Sequence, residues 1–313
     1  MKRLRISIVQ YLNTAPLVWG FTHGPLADKY DLSFTVPSRC AEALRAGAAD
    51  IAIIPAIEYQ RIPGLVMLPN LAIASKRQVR SLLLVAKKPV REVQSIALDS
   101  SSRSTQALVR ILCADHWQIA PQFFEAAPHL DAMLGHADAA LLIGDPALRL
   151  AILLDAQGRR DAQGALLCAA PAAGLDGSDT LHVYDIVEEW RGNSGLPAVL
   201  AVWAARGGVI TDEVLQDFAA SRDFAMAHIP EIVEVAAREL KLPAPPLALY
   251  LQGNIDYSLD ADNRRGLEHF FARAAALGLI AGNRAISWAA HSAFVAPHGE
   301  EPELKLRGST TWR

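Results

Sequence analysis

The sequence predicts an α/β protein of two lobes with mixed sheets and a ligand cleft between the lobes. Strand-like and helix-like segments alternate through the first two thirds of the chain, a pattern typical of parallel or mixed sheets covered by helices. The 313 residues are enough for two cores. Small polar residues follow several strand ends, which is where ligands of such sheets bind.

The first unit is built from short apolar runs separated by helical segments. A helix is expected from Pro16, and a second, amphipathic helix buries Cys40 and Leu44 on one face. The expected strands are, in order, Leu4–Val9, Asp31–Val36, Asp50–Ile54 and Ser81–Ala86. Their separation by helices favours parallel neighbours in one sheet.

A second unit begins after Pro89, and the chain then returns to the first. Its expected elements are the strands Ser95–Leu98 and Ala139–Ile143, a helix after Ser102 and a helix over His129–Ala137. The segment from Asp155 to Asp179 is predicted as a loop, and Ala198–Ala204 as a buried strand. Long helices follow, from Thr211 to about Lys241 with an interruption at Pro230, and from Asp260 to about Leu279.

The order of these elements predicts a discontinuous first lobe. We assign residues 1–88 and 197–290 to lobe one, 89–196 to lobe two, and 291–313 to a C-terminal tail. The chain then crosses between the lobes twice, so that the two crossings form a hinge.

Composition and charge exclude several classes of protein. Apolar residues make up 51% of the chain, charged residues 20%, and the formal net charge is −3. The basic residues between Arg77 and Arg91 are too scattered for a nucleic-acid surface. Cys40, Cys113 and Cys168 lack metal-ligand spacing and predict reduced thiols. With no secretory signal and no run of 18 apolar residues, we expect a cytoplasmic protein with neither membrane nor nucleic-acid partners.

The segment IALDSSSRST, residues 96–105, is the strongest functional signal. A buried strand passes through serines into a helix start, which presents backbone N–H and hydroxyl donors at one point. Such a point binds a carboxylate or a phosphate. The alternative is that Ser102 simply caps the helix.

Small polar residues also lie at the ends of other predicted strands. Asn13 follows the first strand, Ser38 follows the second, and Ser81 opens a buried strand. Gly144 permits close approach of a ligand to the backbone, and Asp145 is placed either to bind ligand or to cap a helix. Turn and capping roles explain each of these residues singly, so the prediction rests on their recurrence.

Common catalytic motifs are absent. The sequence has no P-loop, no GxGxxG after a strand, no HExxH and no GxSxG. His129 and His136 share one helix face without a third ligand, so no metal site is predicted. The residues alone therefore indicate an anion-binding protein and leave catalysis open.

Six segments resemble the chorismate dehydratases of the futalosine route to menaquinone. They are YLNTAPL, DIAIIPAIEY, IALDSSSRST, DAALLIGDPAL, EEWRGNSGLPAVLAVWAAR and NIDYSLDADNRRGLEHFFARAAALGLI, in order along nearly the whole chain. The resemblance implies a type II periplasmic-binding-protein fold used by an enzyme. Ser194 stands where the family commonly has threonine, and Ala198 where it often has phenylalanine.

The resemblance also implies a reaction and its residues. Chorismate would lose water to give 3-[(1-carboxyvinyl)oxy]benzoate, with no metal or organic cofactor. Asn13 and Ser81 correspond by motif to active-site positions of the family. The predicted substrate-binding residues are Ser38, Ser102, Arg103, Ser104, Thr105, Ile143, Gly144 and Asp145.

Two other functions remain open from the sequence. The same fold serves solute-binding proteins, which do not catalyse. The related enzyme that makes 1,4-dihydroxy-6-naphthoate is the second alternative, and it would require a histidine in the cleft. The sequence leaves the oligomeric state undetermined.

Overall fold

The computed structural model describes residues 3–155, 159–160, 166–169 and 180–289. The strands in these ranges are β1 (Arg5–Val9), β2 (Asp31–Thr35), β3 (Ile51–Pro55), β4 (Leu65–Ser75), β5 (Leu82–Ala86), β6 (Ser95–Asp99), β7 (Gln122–Ala126), β8 (Ala139–Ile143), β9 (Arg159–Arg160), β10 (Leu166–Ala169), β11 (Thr180–Asp185) and β12 (Ala198–Arg206). The α-helices are α1 (Ala15–Thr22), α2 (Pro37–Arg45), α3 (Ala56–Arg61), α4 (Ser104–Leu112), α5 (Leu130–His136), α6 (Gly144–Leu154), α7 (Ile186–Ser194), α8 (Asp212–Ala227), α9 (Ile229–Leu240), α10 (Ala244–Leu249) and α11 (Ala261–Ala276).

Lobe one is built on a five-stranded mixed sheet of order β2-β1-β3-β12-β4. The first three strands are parallel, and β12 runs antiparallel to both of its neighbours. Strand β3 is buried along its whole length, and β12 along all but its last residue. Helices therefore cover both faces, as the unbroken apolar runs of these strands require.

Lobe two is built on a second mixed sheet of order β7-β6-β8-β5-β11-β10-β9. Strand β6 lies parallel to β7 and β8, whereas β5 runs antiparallel to β8 and β11. Strands β5 and β8 are fully buried. The carboxyl end of β6 meets the start of α4 at the edge of this sheet that faces lobe one.

The predicted boundary of lobe one at residue 88 is wrong for one strand. Leu82–Ala86 pairs with β8 and β11 and so belongs to the sheet of lobe two. The first crossing therefore precedes residue 82, and the second joins α7 to β12. Asp185 fastens the first crossing, since its carboxylate accepts the N–H groups of Val79 (3.0 Å) and Arg80 (2.5 Å).

The long C-terminal helices follow the predicted pattern. Thr211 caps α8 by accepting the N–H of Val214, and Asp260 caps α11 by accepting the N–H of Asn263. The interruption predicted at Pro230 is the boundary between α8 and α9. No helix within the described ranges is both long enough and apolar enough to cross a bilayer.

The capping alternative for Ser102 and Ser38 is not found in the structure, and one local prediction was wrong. Arg103 and Val36 occupy the cap positions, and neither helix has a side-chain cap. Two short strands, β9 and β10, lie within the segment predicted as a loop. The rest of residues 156–179 and the predicted tail at 291–313 lie outside the described residues.

Candidate active site

A small cavity lies between the lobes at the strand ends that the sequence singled out. Its volume is about 50 Å³. Seven of the ten predicted site residues line it, namely Asn13, Ser102, Arg103, Ser104, Thr105, Ile143 and Gly144. The remaining lining is mostly apolar and includes Tyr11, Ile73 and Leu200. Both lobes contribute, so the cavity is closed only when the lobes are together.

The serine turn after β6 is held by Asp99. Its Oδ1 accepts both the N–H of Ser101 (2.9 Å) and the hydroxyl of Ser101 (2.7 Å), and its carbonyl accepts the N–H of Ser102 (3.1 Å). Burial raises the pKa of this carboxyl, and the Ser101 bonds oppose the shift. Because Asp99 organises the turn, Ser102 is left to line the cavity beside the free N–H groups expected at the first turn of a helix.

Hydrogen bonds join the serine turn to lobe one. Ser104 Oγ accepts the N–H of Ile57 at 3.2 Å, and the N–H of Ser38 donates to the Ser101 carbonyl at 3.1 Å. Ser38 therefore contacts the serine turn through its backbone and is absent from the cavity lining. The lobes are in a closed arrangement.

Arg103 is the charged side chain among the described residues that line the cavity. Its guanidinium is already paired, with Nη1 3.0 Å from Glu125 Oε1. No histidine is found in this described lining. Within the same described ranges, no cluster of three His, Cys, Asp or Glu side chains has the geometry to hold a metal ion.

The backbone of Gly144 packs closely against the Tyr11 ring across the cleft. Gly144 has a φ of +67°, and a Cβ added there would lie 2.6 Å from the Tyr11 ring. The Tyr11 hydroxyl in turn lies 3.3 Å from Ser101 Oγ. Only glycine satisfies both the left-handed backbone and the close approach of the ring.

Asp145 lies beside the cavity instead of lining it. Its Oδ1 accepts the N–H of Leu12 from lobe one at 3.0 Å. Burial raises the pKa of this carboxyl to about 6, against the opposing effects of the Leu12 N–H and the charge of Arg149. It lines two larger cavities, of about 440 and 430 Å³. Asp145 thus joins the lobes.

Ser81 is held by a residue that the sequence analysis missed. The hydroxyl of Tyr250 donates to Ser81 Oγ at 2.8 Å. Burial raises the pKa of Tyr250, and the neighbouring Ser81 and Asn13 side chains oppose the shift. Ser81 is fully buried and Tyr250 is 1% exposed. The Ser81 carbonyl accepts the N–H of Gly144 (2.8 Å), which ties this cluster to the strand end of lobe two.

Tyr250 lies at the start of a π-helical turn, Tyr250–Asn254, that directly follows α10. It is 169 residues from Ser81 in sequence. Nothing in the local pattern distinguishes it from a core tyrosine. The one sequence signal was its position just before the family-like segment that begins at Asn254.

The chain is similar in sequence and in structure to several known proteins. A chorismate dehydratase of Thermus thermophilus is 27% identical over 284 residues, covering 89% of this chain and 97% of the relative. A solved structure from Archaeoglobus fulgidus has a TM-score of 0.66 at 18% identity and covers 88% of this chain and 98% of that one. The periplasmic aliphatic sulphonate binding protein of Escherichia coli has a TM-score of 0.60 at 17% identity and covers 98% and 97%.

These two structures confirm the predicted two-lobed, periplasmic-binding-protein-like fold. At such identities they establish the fold alone. The family model for menaquinone biosynthesis matches residues 4–276, nearly the whole described chain. The resemblance stated from the sequence motifs is confirmed, and the chain belongs to the menaquinone biosynthesis family.

Proposed function

We propose that this protein is a chorismate dehydratase, converting chorismate to 3-[(1-carboxyvinyl)oxy]benzoate and water as the first step of the futalosine route. Membership of the menaquinone biosynthesis family and the Thermus relative support this reaction. The observation that carries the proposal is the donor set at the cleft. Serine hydroxyls, an asparagine amide and a helix start surround one interlobe cavity, and these groups suit a dianion.

The chemistry of the substrate explains why donors are sufficient. Chorismate loses the proton on C3 and the hydroxyl on C4, and the ring becomes aromatic. The C3 proton is vinylogous to the ring carboxylate, so negative charge that develops at C3 spreads onto that carboxylate. Fixed donors around the carboxylate therefore stabilise the transition state more than the bound substrate.

We assign the ring carboxylate to the serine turn. Ser102, Ser104 and Thr105 line the cavity at the start of α4. The partial positive charge of a helix N-terminus adds to their hydrogen bonds. Asn13 orients the ring from the cavity wall. Ser81 is fully buried in the closed form and absent from the lining, so in this proposal it meets the leaving hydroxyl or the second carboxylate once the lobes have opened to admit the substrate.

The base in this proposal belongs to the substrate. The described lining offers no carboxylate or histidine, and the carboxylate of the enolpyruvyl group lies within reach of C3 when the cleft holds the ether in a folded conformer. Proton loss precedes departure of the hydroxyl in this scheme. It needs no metal or organic cofactor, so dialysis against a chelator should leave turnover unchanged.

Substrate entry requires the lobes to separate. A cavity of about 50 Å³ is far below the roughly 300 Å³ of pockets that enclose small organic ligands. The contacts that must break are the interlobe hydrogen bonds at Leu12–Asp145, Ser38–Ser101 and Ile57–Ser104. They re-form around the bound ring, which excludes water from the reacting atoms.

The deciding experiment incubates the purified protein with chorismate. We expect the diene absorbance of chorismate to disappear. The product should be lighter than chorismate by the mass of one water molecule, as an elimination requires. Binding of chorismate without turnover would instead indicate a solute-binding protein. Turnover of the 1,4-dihydroxy-6-naphthoate precursor in place of chorismate would indicate the related synthase, which the histidine-free described lining disfavours.

A further inference from the structure

Tyr250 is a buried tyrosine that reaches Ser81 from the C-terminal part of lobe one. Its hydroxyl donates to the Ser81 side chain. The ring is 1% exposed and packs in the main core. A phenol so deeply buried is stabilised when its hydroxyl is hydrogen-bonded.

The direction of the hydrogen bond between Tyr250 and Ser81 determines what the Ser81 hydroxyl can do. Tyr250 donates to Ser81 Oγ at 2.8 Å. A serine hydroxyl has one hydrogen and two lone pairs. Since a lone pair of Ser81 is taken by Tyr250, the hydrogen of Ser81 is free to point at a different acceptor. The phenol thus makes Ser81 a donor of fixed orientation.

Asn13 is oriented by its neighbour Thr14. Its Oδ1 accepts the hydroxyl of Thr14 at 3.3 Å, which leaves the amide N–H groups for other acceptors.

We propose that Tyr250 is a positioning residue for the dehydration, holding Ser81 in the orientation that meets the substrate. This inference rests on the proposed function, because Ser81 acts there on chorismate. Its place at a π-helical turn agrees with this role, since such turns recur at functional sites. Tyr250 itself touches no substrate in the proposal.

A matched control lies seven residues along the chain. Tyr257 is also buried, at 5% exposure, but its hydroxyl has no hydrogen-bond partner in the described structure. Tyr250→Phe and Tyr257→Phe therefore remove the same atom from two equally buried rings. Only the first removes a contact to Ser81.

The experiment measures kcat and KM for chorismate in both variants. We expect Tyr250→Phe to lower kcat roughly 10-fold to 100-fold with KM changed less than about 3-fold, the loss expected for one misaligned donor in the transition state. Tyr257→Phe should stay within about 2-fold of wild type in both constants. Equal kcat values for the two variants and the wild type would overturn the inference.

A double-mutant cycle separates positioning from general damage to the core. In a Ser81→Ala background, followed by single turnover with enzyme in excess, Tyr250→Phe should cost less than about 2-fold, because the group that it orients is gone. A loss equal to that in the Ser81-containing protein would show a purely structural role and overturn the inference. If the wild type does not turn over chorismate, the proposed function fails; if it does and Tyr250→Phe matches it, only this inference fails.

Discussion

Replacing Gly144 by alanine tests whether the lobes must close on each other for turnover. Gly144 has a φ of +67°, and the added Cβ would lie 2.6–2.7 Å from three atoms of the Tyr11 ring. The left-handed backbone costs alanine about 1–2 kcal/mol wherever the lobes stand. The clash with the ring exists only when they are closed, because Tyr11 and Gly144 belong to different lobes.

The clash sets the size of the expected effect. Overpacking of this kind costs about 1–3 kcal/mol, and every 1.4 kcal/mol is about a factor of ten in the population of the closed form. We therefore expect Gly144→Ala to lower kcat/KM for chorismate by roughly 5-fold to 100-fold. The radius of gyration from small-angle scattering should rise, since the open form avoids the ring.

Gly64 provides the control for backbone strain. Its φ is +73°, and an added Cβ would meet no atom within 4 Å. Gly64→Ala should lower the free energy of unfolding by about 1–2 kcal/mol, as Gly144→Ala does, and leave kcat/KM unchanged. If urea unfolding shows similar losses and both variants turn over chorismate alike, closure through the Gly144–Tyr11 contact is not required and the reasoning is wrong.

Three further predictions follow from single side chains. Ser81→Ala and Asn13→Ala should each lower kcat by roughly 10²–10³-fold in the chorismate assay; near-normal turnover in both would contradict their assignment. Burial raises the pKa of Asp145 to about 6, so the folded protein loses the stability linked to the protonated carboxyl as pH rises through that value. Between pH 4 and 7 the unfolding free energy of the wild type should therefore fall by about 2 kcal/mol relative to that of Asp145→Asn. The same pH dependence of the unfolding free energy in both proteins, measured with urea, would refute this. Asp185→Ala leaves four backbone N–H groups without their acceptor and should lower the unfolding free energy by about 2–5 kcal/mol. An unchanged midpoint of urea denaturation would contradict this.

Continuous apolar runs made the fold predictable, and sheet membership was where prediction failed. Leu82–Ala86 was expected as a strand and is one, yet it belongs to the other lobe. Periodicity reports that a segment is buried on both faces and says nothing about its neighbours. Strand β4, Leu65–Ser75, was not predicted, because Pro69 and the left-handed Asn70 (φ +61°) break its pattern.

The candidate site was predictable where its residues follow strand ends. Such positions converge for topological reasons, so Asn13, Ser102 and Gly144 share a cavity although they are far apart in sequence. Tyr250 was not predicted, because only its tertiary hydrogen bond with Ser81 distinguishes it from a core tyrosine. The capping alternative for Ser102 is not found, because Arg103 occupies the cap position and Asp99 supplies the turn with its acceptor.

A two-lobed fold suits the proposed elimination, because that proposal places donors on both sides of one ring. The serine turn belongs to lobe two, whereas Asn13 and the Tyr250 cluster belong to lobe one. Neither lobe alone surrounds the ring, so the complete donor set exists only after closure. The same closure buries Asp145 against Leu12, which makes closure cost more when that carboxyl is ionised. If the substrate is the proposed dianion, its hydrogen bonds offset that cost, and a ligand that has one carboxylate in place of two should close the cleft less completely.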